Sequence, residues 1–331
     1  MKRFLKVILS ISLFTLLAFN VAEAQKRAKL ERGAGEFEYS NYKPLSNKMV
    51  TVFYYIPLKG DIGKMPILFA THGANRTGAH QLESWRYFAE ERGFIVIAPQ
   101  FAKREYSVNE YQFGGVSKSS TNNQLRAKEL WSYNIIEALF DYFKESLNNS
   151  STTYDIWGHS AGGQFVHRFL LTMPQARVNV AVASNAGSYT FPFAQGLKGI
   201  DGELYGWPYS VKDTPFASKE NLKSFFSKHL IVHAGNRDTS TVQKNLPKHP
   251  AAKAQGIHRF ERAHIFYQES KKLAEEMGVP FNWELVELGG VAHRSRSMVY
   301  GTSRRVDGKR VYSTSVTKKN GAYNLIYGRN R

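Results

Sequence analysis

A chain of 331 residues with 42% hydrophobic and 14% aromatic residues has the composition of an ordinary globular protein, which excludes a disordered, collagenous or fibrous molecule. Cysteine is absent, so there is no disulfide framework, thiolate zinc site, thiol nucleophile or lipid-modified N-terminal cysteine. Lys and Arg outnumber Asp and Glu by 45 to 27, a formal net charge of +18, which favours anionic partners or surfaces without naming one.

Lys2, Arg3 and Lys6 precede an apolar run over residues 7–19, and Ala22-Glu23-Ala24 follows as a small-residue cleavage signal. This pattern predicts a secretory signal peptide over residues 1–24 and a secreted or periplasmic mature chain. The run is short for a membrane-spanning helix, and no other stretch is apolar enough to be one. Residues 48–58 alternate and are β-branched and aromatic, so they predict a strand; residues 65–71 and 94–99 are continuous apolar runs of strands buried on both faces. Between them, residues 79–92 carry apolar positions at helical spacing and end at Gly93. A polar loop over residues 106–123 leads to the longest helical pattern, 124–147. Strands at 154–157, 178–183, 228–234 and 281–288 alternate with helices at 161–171 and within 254–277. Such alternation predicts an α/β fold with a mostly parallel central sheet and helices on both faces. Residues 188–226 break the pattern with an aromatic-rich insertion, and residues 294–331 read as a basic C-terminal tail.

Gly158-His159-Ser160-Ala161-Gly162 matches G-x-S-x-G between a strand and a helix. Glycines there permit a sharp turn that presents the Ser160 hydroxyl above the sheet edge at a helix N-terminus. A serine hydroxyl is a weak nucleophile without a base and an acid to orient that base. Asp238 follows the strand ending at Ala234, and His293 follows the final strand. Both therefore lie at carboxyl ends of strands, the edge where open α/β sheets bind ligands. Asp201, Asp213, His229, His233, His258 and His264 compete but sit in the insertion, in a strand or in a helix. An oxyanion needs two backbone N–H donors: Ala161, directly after Ser160, and Ala74 in the turn after the 65–71 strand, with Asn75 as the alternative. His72 in that turn reads as a packed residue, because only backbone is required there. Trp207 is the aromatic of the insertion expected to line an acyl or alcohol pocket; the alternative is a satellite core beneath the loop.

The elbow GHSAGG, the oxyanion-type HGAN and the late GNRDT and GGVAHRS segments resemble the α/β-hydrolase superfamily over residues 65–293. Within it the chain is similar to secreted poly(3-hydroxybutyrate) depolymerase-like and feruloyl-esterase-like carboxylic ester hydrolases. That resemblance implies an α/β-hydrolase fold with residues 188–226 as a lid-like insertion, and a serine esterase with Ser160, Asp238 and His293 as its triad. No H-E-x-x-H, P-loop or dinucleotide fingerprint occurs, so neither metal nor cofactor is expected. Esters of polysaccharides, polyesters and small soluble esters all stay open as substrates. So do a serine peptidase on the same fold and a non-catalytic polyanion-binding protein. Val306-Asp307-Gly308 and Lys319-Asn320-Gly321 are turn signals in the tail, which reads either as a solvated strip or as a dock for an anionic polymer. No nucleic-acid-binding motif is present.

Overall fold

The computed structural model describes residues 28–119, 124–302, 305–307, 309–312 and 319–328; the expected signal peptide lies outside the described residues. The strands are β1 (Gly33–Tyr39), β2 (Val50–Ile56), β3 (Ile67–Thr71), β4 (Ile95–Gln100), β5 (Tyr154–His159), β6 (Val178–Ser184), the short pair β7 (Leu197–Lys198) and β8 (Leu204–Tyr205), β9 (Leu230–Gly235), β10 (Glu284–Leu288), and the pair β11 (Arg305–Val306) and β12 (Lys309–Arg310). Eight of them form one sheet in the order β1-β2-β4-β3-β5-β6-β9-β10. β1, β2 and β4 are antiparallel neighbours, and from β4 to β10 all pairings are parallel. Every residue of β3, β5 and β9 is buried, as expected of parallel strands covered on both faces. β1 has no counterpart in the sequence reading. Its GAGEFEY sequence alternates exposed Glu36 and Glu38 with half-buried Gly35 and Phe37 and buried Tyr39, the charged pattern of a protected edge strand.

The helices are α1 (Gly78–Arg92), α2 (Val108–Gln112), α3 (Asn134–Leu147), α4 (Ala161–Thr172), α5 (Lys219–Ser227), α6 (Pro250–Lys253), α7 (Arg259–Met277), α8 (Ser295–Tyr300) and α9 (Ala322–Tyr327). The helix expected from residue 124 begins only at Asn134, because Leu125 bridges to Ser117 and Lys128–Leu130 is a single 3-10 turn. α7 lies against β9 and β10, and α4 runs directly from the end of β5.

The C-terminal segment departs most from expectation. Among the described residues of 294–331, expected as a basic tail, Val299 and Tyr300 of α8 and Ala322, Tyr323, Leu325 and Ile326 of α9 are buried in a hydrophobic cluster with Trp85 and Phe88. Tyr323 stacks on Phe88 and Tyr327 on Phe94, each with ring centroids 4.0 Å apart. Net charge hides this, because the apolar stretches MVY and AYNLIY sit between the basic residues. The intervening β11–β12 hairpin turns at Asp307, whose φ is +49°.

The insertion is also more ordered than its sequence suggests. It holds the β7–β8 hairpin and ends in α5. Arg168 on α4, fully buried, donates to Thr190 Oγ1 at 2.8 Å, Ser188 Oγ at 3.3 Å and the Pro208 carbonyl at 3.2 Å. One guanidinium thereby fastens the start of the segment and its middle, at Pro208, to α4.

Candidate active site

The turn between β5 and α4 is tight. A Cβ on Gly158 would lie 2.3 Å from the Gly162 carbonyl oxygen, and one on Gly162 would lie 2.5 Å from that of Thr71. Only glycine fits at either position. Ser160 itself sits at φ +61°, ψ −114°, a conformation that strains a non-glycine residue by about 1–3 kcal/mol. Its N–H donates to the Ser184 carbonyl at 2.9 Å, and its carbonyl accepts from Gln164 at 3.0 Å. The strain is thus held by the neighbouring strand and by the first turn of α4.

Three of the sequence-expected side chains meet at the carboxyl edge of the sheet. His293 Nε2 is 3.0 Å from Ser160 Oγ, and His293 Nδ1 is 2.6 Å from Asp238 Oδ2. Asp238 is buried, while His293 is 11% exposed and reaches the cleft. The loops bearing these two residues are sewn together: Asn236 N–H donates to the Leu288 carbonyl at 3.1 Å and Arg237 N–H to that of Val291 at 3.0 Å. The other candidates lie elsewhere. His233 is buried against Ser184, His229 pairs with Glu284, His264 pairs with Glu287, and His258 caps α7. Asp201 and Asp213 are exposed.

Ala161 is the first residue of α4, so its N–H has no intrahelical acceptor. Ala74 lines the same cleft from the turn after β3. Among the described residues neither amide donates to another backbone carbonyl. Both are therefore open to an acceptor in the cleft. The turn carrying Ala74 is built on His72, expected as a packed residue, and on Tyr111 and Arg76, which the sequence did not single out. His72 is buried and stacks on Tyr111, with ring centroids 4.2 Å apart. Burial pulls its pKa down to about 3, so it is neutral. Its Nδ1–H donates to the Gly73 carbonyl and its Nε2 accepts from Phe101 N–H, both at 3.0 Å. Arg76, at φ +61°, lies over the Tyr111 ring, 4.4 Å from its centroid, and donates to the Phe101 carbonyl at 2.6 Å. The layered set His72, Tyr111 and Arg76 fixes the backbone that aims Ala74. Phase-three spacing cannot reveal it, because Tyr111 and Arg76 are far apart in sequence.

The cleft above Ser160 has a volume of about 240 Å³ and is lined by small and polar residues, among them Asn75, Thr77, His80, Gln81, His159 and Asn245. Among the described residues, no Leu, Ile, Val, Met, Phe, Tyr or Trp and no Asp or Glu lines it. Burial and the nearby Arg296 lower the pKa of His80, and burial together with His293 lowers that of His159, so both imidazoles are neutral near pH 7.

Trp207 is not in this cleft, nor is any residue of 188–226. The expected lid and aromatic pocket are corrected accordingly. Trp207 is buried against Phe216, which in turn packs on Trp131, while Tyr189 stacks on Phe266 of α7. The aromatics of the insertion pack on one another and on side chains outside it: Phe191 on Phe266 and on Phe193, and Tyr205 and Tyr209 on His249. Trp207→Ala is therefore expected to lower stability by about 3–5 kcal/mol. Thermal melts would show the loss, while the ratio of KM values for bulky and acetate esters stays at the wild-type value. A selective rise in KM for bulky esters would return Trp207 to the pocket. Among the described residues, no group of three or more His, Asp or Glu is placed to hold a metal ion.

The family model described as "Putative esterase" matches residues 45–262, a span that includes Ser160 and Asp238 and stops before His293. Among solved structures, poly(aspartic acid) hydrolase-1 from Sphingomonas sp. KT-1 is similar at 34% identity and TM-score 0.74, over 81% of this chain and 96% of that one. A poly(3-hydroxybutyrate) depolymerase from Bordetella parapertussis is similar at 26% identity and TM-score 0.73, over 86% of this chain and 94% of that one. No curated protein matches the chain.

Proposed function

The chain belongs to the esterase family, and from that premise we propose that it is a secreted serine hydrolase that cleaves carboxylic esters through an acyl-enzyme. The observation that carries this reading is the unbroken relay from Ser160 Oγ to His293 at 3.0 Å and on to Asp238 at 2.6 Å, at the mouth of a cleft. Ser160 attacks the ester carbonyl while His293 Nε2 takes its proton. Asp238 accepts from Nδ1–H, which fixes the tautomer and stabilises the imidazolium. The oxyanion is held by the N–H groups of Ala161 and Ala74, preorganised by the α4 N-terminus and the His72–Tyr111–Arg76 layers. His293 returns its proton to the leaving alcohol. Water then enters by the same path and releases the acid. The expected signal peptide supports secretion.

The lining narrows the substrate. A cleft of small, polar, uncharged groups suits a compact or polar acyl part better than a long aliphatic one. A second reading follows from the 34% identity to a poly(aspartic acid) hydrolase, whose named polymer is anionic and amide-linked. The excess of Lys and Arg over Asp and Glu, and the lack of acidic side chains among the described residues of the cleft, fit an anionic polymer chain.

Both readings meet in one assay: initial rates on p-nitrophenyl acetate and longer p-nitrophenyl esters, poly(3-hydroxybutyrate) film and poly(aspartic acid), each at low and high salt. The ester reading expects the highest kcat/KM on short acyl esters, with little salt dependence. Preference for poly(aspartic acid), with kcat/KM falling steeply as salt rises, would favour the polyanion reading. Inactivity on every ester would remove the first reading.

A further inference from the structure

Arg259, the first residue of α7, is buried beneath the acid of the relay. The side chains of Arg259 and Asp238 are both fully buried, with Arg259 Nη1 3.7 Å from Asp238 Oδ1. This is too long for a hydrogen bond, and Asp238 Oδ1 has no hydrogen-bond partner among the described residues. The guanidinium is held instead by side-chain carbonyls of the loop after Asp238: Nη1 donates to Gln243 Oε1 at 2.5 Å and Nη2 to Asn245 Oδ1 at 3.0 Å. The α7 N-terminus faces the same turn, through Phe260 N–H to the Asp238 carbonyl at 3.3 Å. A permanent cation is thus fixed beside a buried carboxylate without closing on it, which leaves Asp238 Oδ2 to His293.

We propose that Arg259 is a positioning residue that sets the pH range of the reaction by opposing the field of Asp238 on His293. The inference rests on the Ser160–His293–Asp238 reading. The negative charge of Asp238 favours protonated His293, and a nearby cation cancels part of that preference. His293 must be unprotonated to serve as base, so the cation extends activity toward lower pH. The other groups around the pair are His159 at the end of β5, whose ring centroid is 4.5 Å from that of His293; His80 on α1, across the cleft; Tyr189 of the insertion, which interacts electrostatically with Asp238; and the exposed Arg294, next in the chain. The two histidines and the tyrosine are held neutral by burial. Arg259 is the cation paired with the buried carboxylate. Asn245 both anchors Arg259 and lines the cleft, which connects the device to the substrate side.

The test is the pH dependence of kcat/KM on a small neutral ester for the wild type and for Arg259→Met, Arg259→Gln and Arg259→Lys. Gln keeps hydrogen-bonding capacity toward Gln243 and Asn245, so it covers the case in which Met prevents folding. The neutral variants should move the acid-side midpoint of the profile upward by about one pH unit, and Lys should restore most of the wild-type midpoint. An unmoved midpoint in a folded neutral variant, or the same upward shift in Arg259→Lys, would overturn the proposal and leave Arg259 a packing residue. Failure of the underlying relay would show separately, as undiminished hydrolysis by Ser160→Ala.

Discussion

Ser160→Ala is expected to lower kcat by about 10⁴-fold or more, with the fold intact. The size follows from the chemistry: without the hydroxyl no acyl-enzyme forms, and only binding and the two backbone donors act on the carbonyl. The fold should survive because Ser160 makes its structural hydrogen bonds through backbone, to Ser184 and Gln164. Alanine at φ +61° carries the same strain as serine. Steady-state rates and a thermal melt on the same preparation separate lost chemistry from lost structure. Asp238→Asn should also be severe, because an amide at 2.6 Å from Nδ1 can present its NH₂ and favour the wrong tautomer of His293. A near-wild-type rate for that variant would move the orienting acid elsewhere.

Deletion of residues 302–331 is expected to abolish the folded protein. A solvated tail could be removed at little cost, but this segment supplies Tyr323, Leu325 and Ile326, each at most 4% exposed, to the cluster that contains Phe88 and Trp85. Losing one such side chain costs about 2–5 kcal/mol, and three together approach the whole stability of a domain, about 5–15 kcal/mol. Asn320 Nδ2 also donates to the Glu287 carbonyl at 2.9 Å, and that strand precedes His293. The deleted chain should therefore be insoluble, or lack a cooperative melt. A soluble, cooperatively melting truncation with normal esterase rates would show that α9 is dispensable. Docking of an anionic polymer to this region is better tested by charge substitutions on exposed positions such as Lys309, which leave the core untouched.

The parts legible in the sequence are those fixed by local pattern. Continuous apolar runs at β3, β4 and β9 declare strands buried on both faces, and G-x-S-x-G between a strand and a helix places Ser160 at a sheet edge. From the order of strand ends, Asp238 and His293 fall beside it. What was not legible depends on contacts distant in sequence. Tyr111 reads as one aromatic in a polar loop, and only the folded chain brings it against His72 and Arg76. Trp207 is identifiable as an anchor, but whether it faces substrate or Phe216 depends on how the insertion folds back. Arg259 sits at the start of an ordinary helical pattern, and nothing in its spacing says that the first residue turns inward. In the C-terminal segment ten basic residues mask two short apolar faces, because net charge does not record which side of a helix carries it.

In the proposed mechanism Ser160, activated by His293 and Asp238, is the nucleophile. The most direct test of that role is labelling of the whole protein with a fluorophosphonate, followed by mass mapping of the adduct, in the wild type and in Ser160→Ala. Attack by an activated serine predicts one stoichiometric adduct on the peptide containing Ser160, lost in the variant together with ester hydrolysis. An adduct on another serine, with hydrolysis retained in Ser160→Ala, would contradict it.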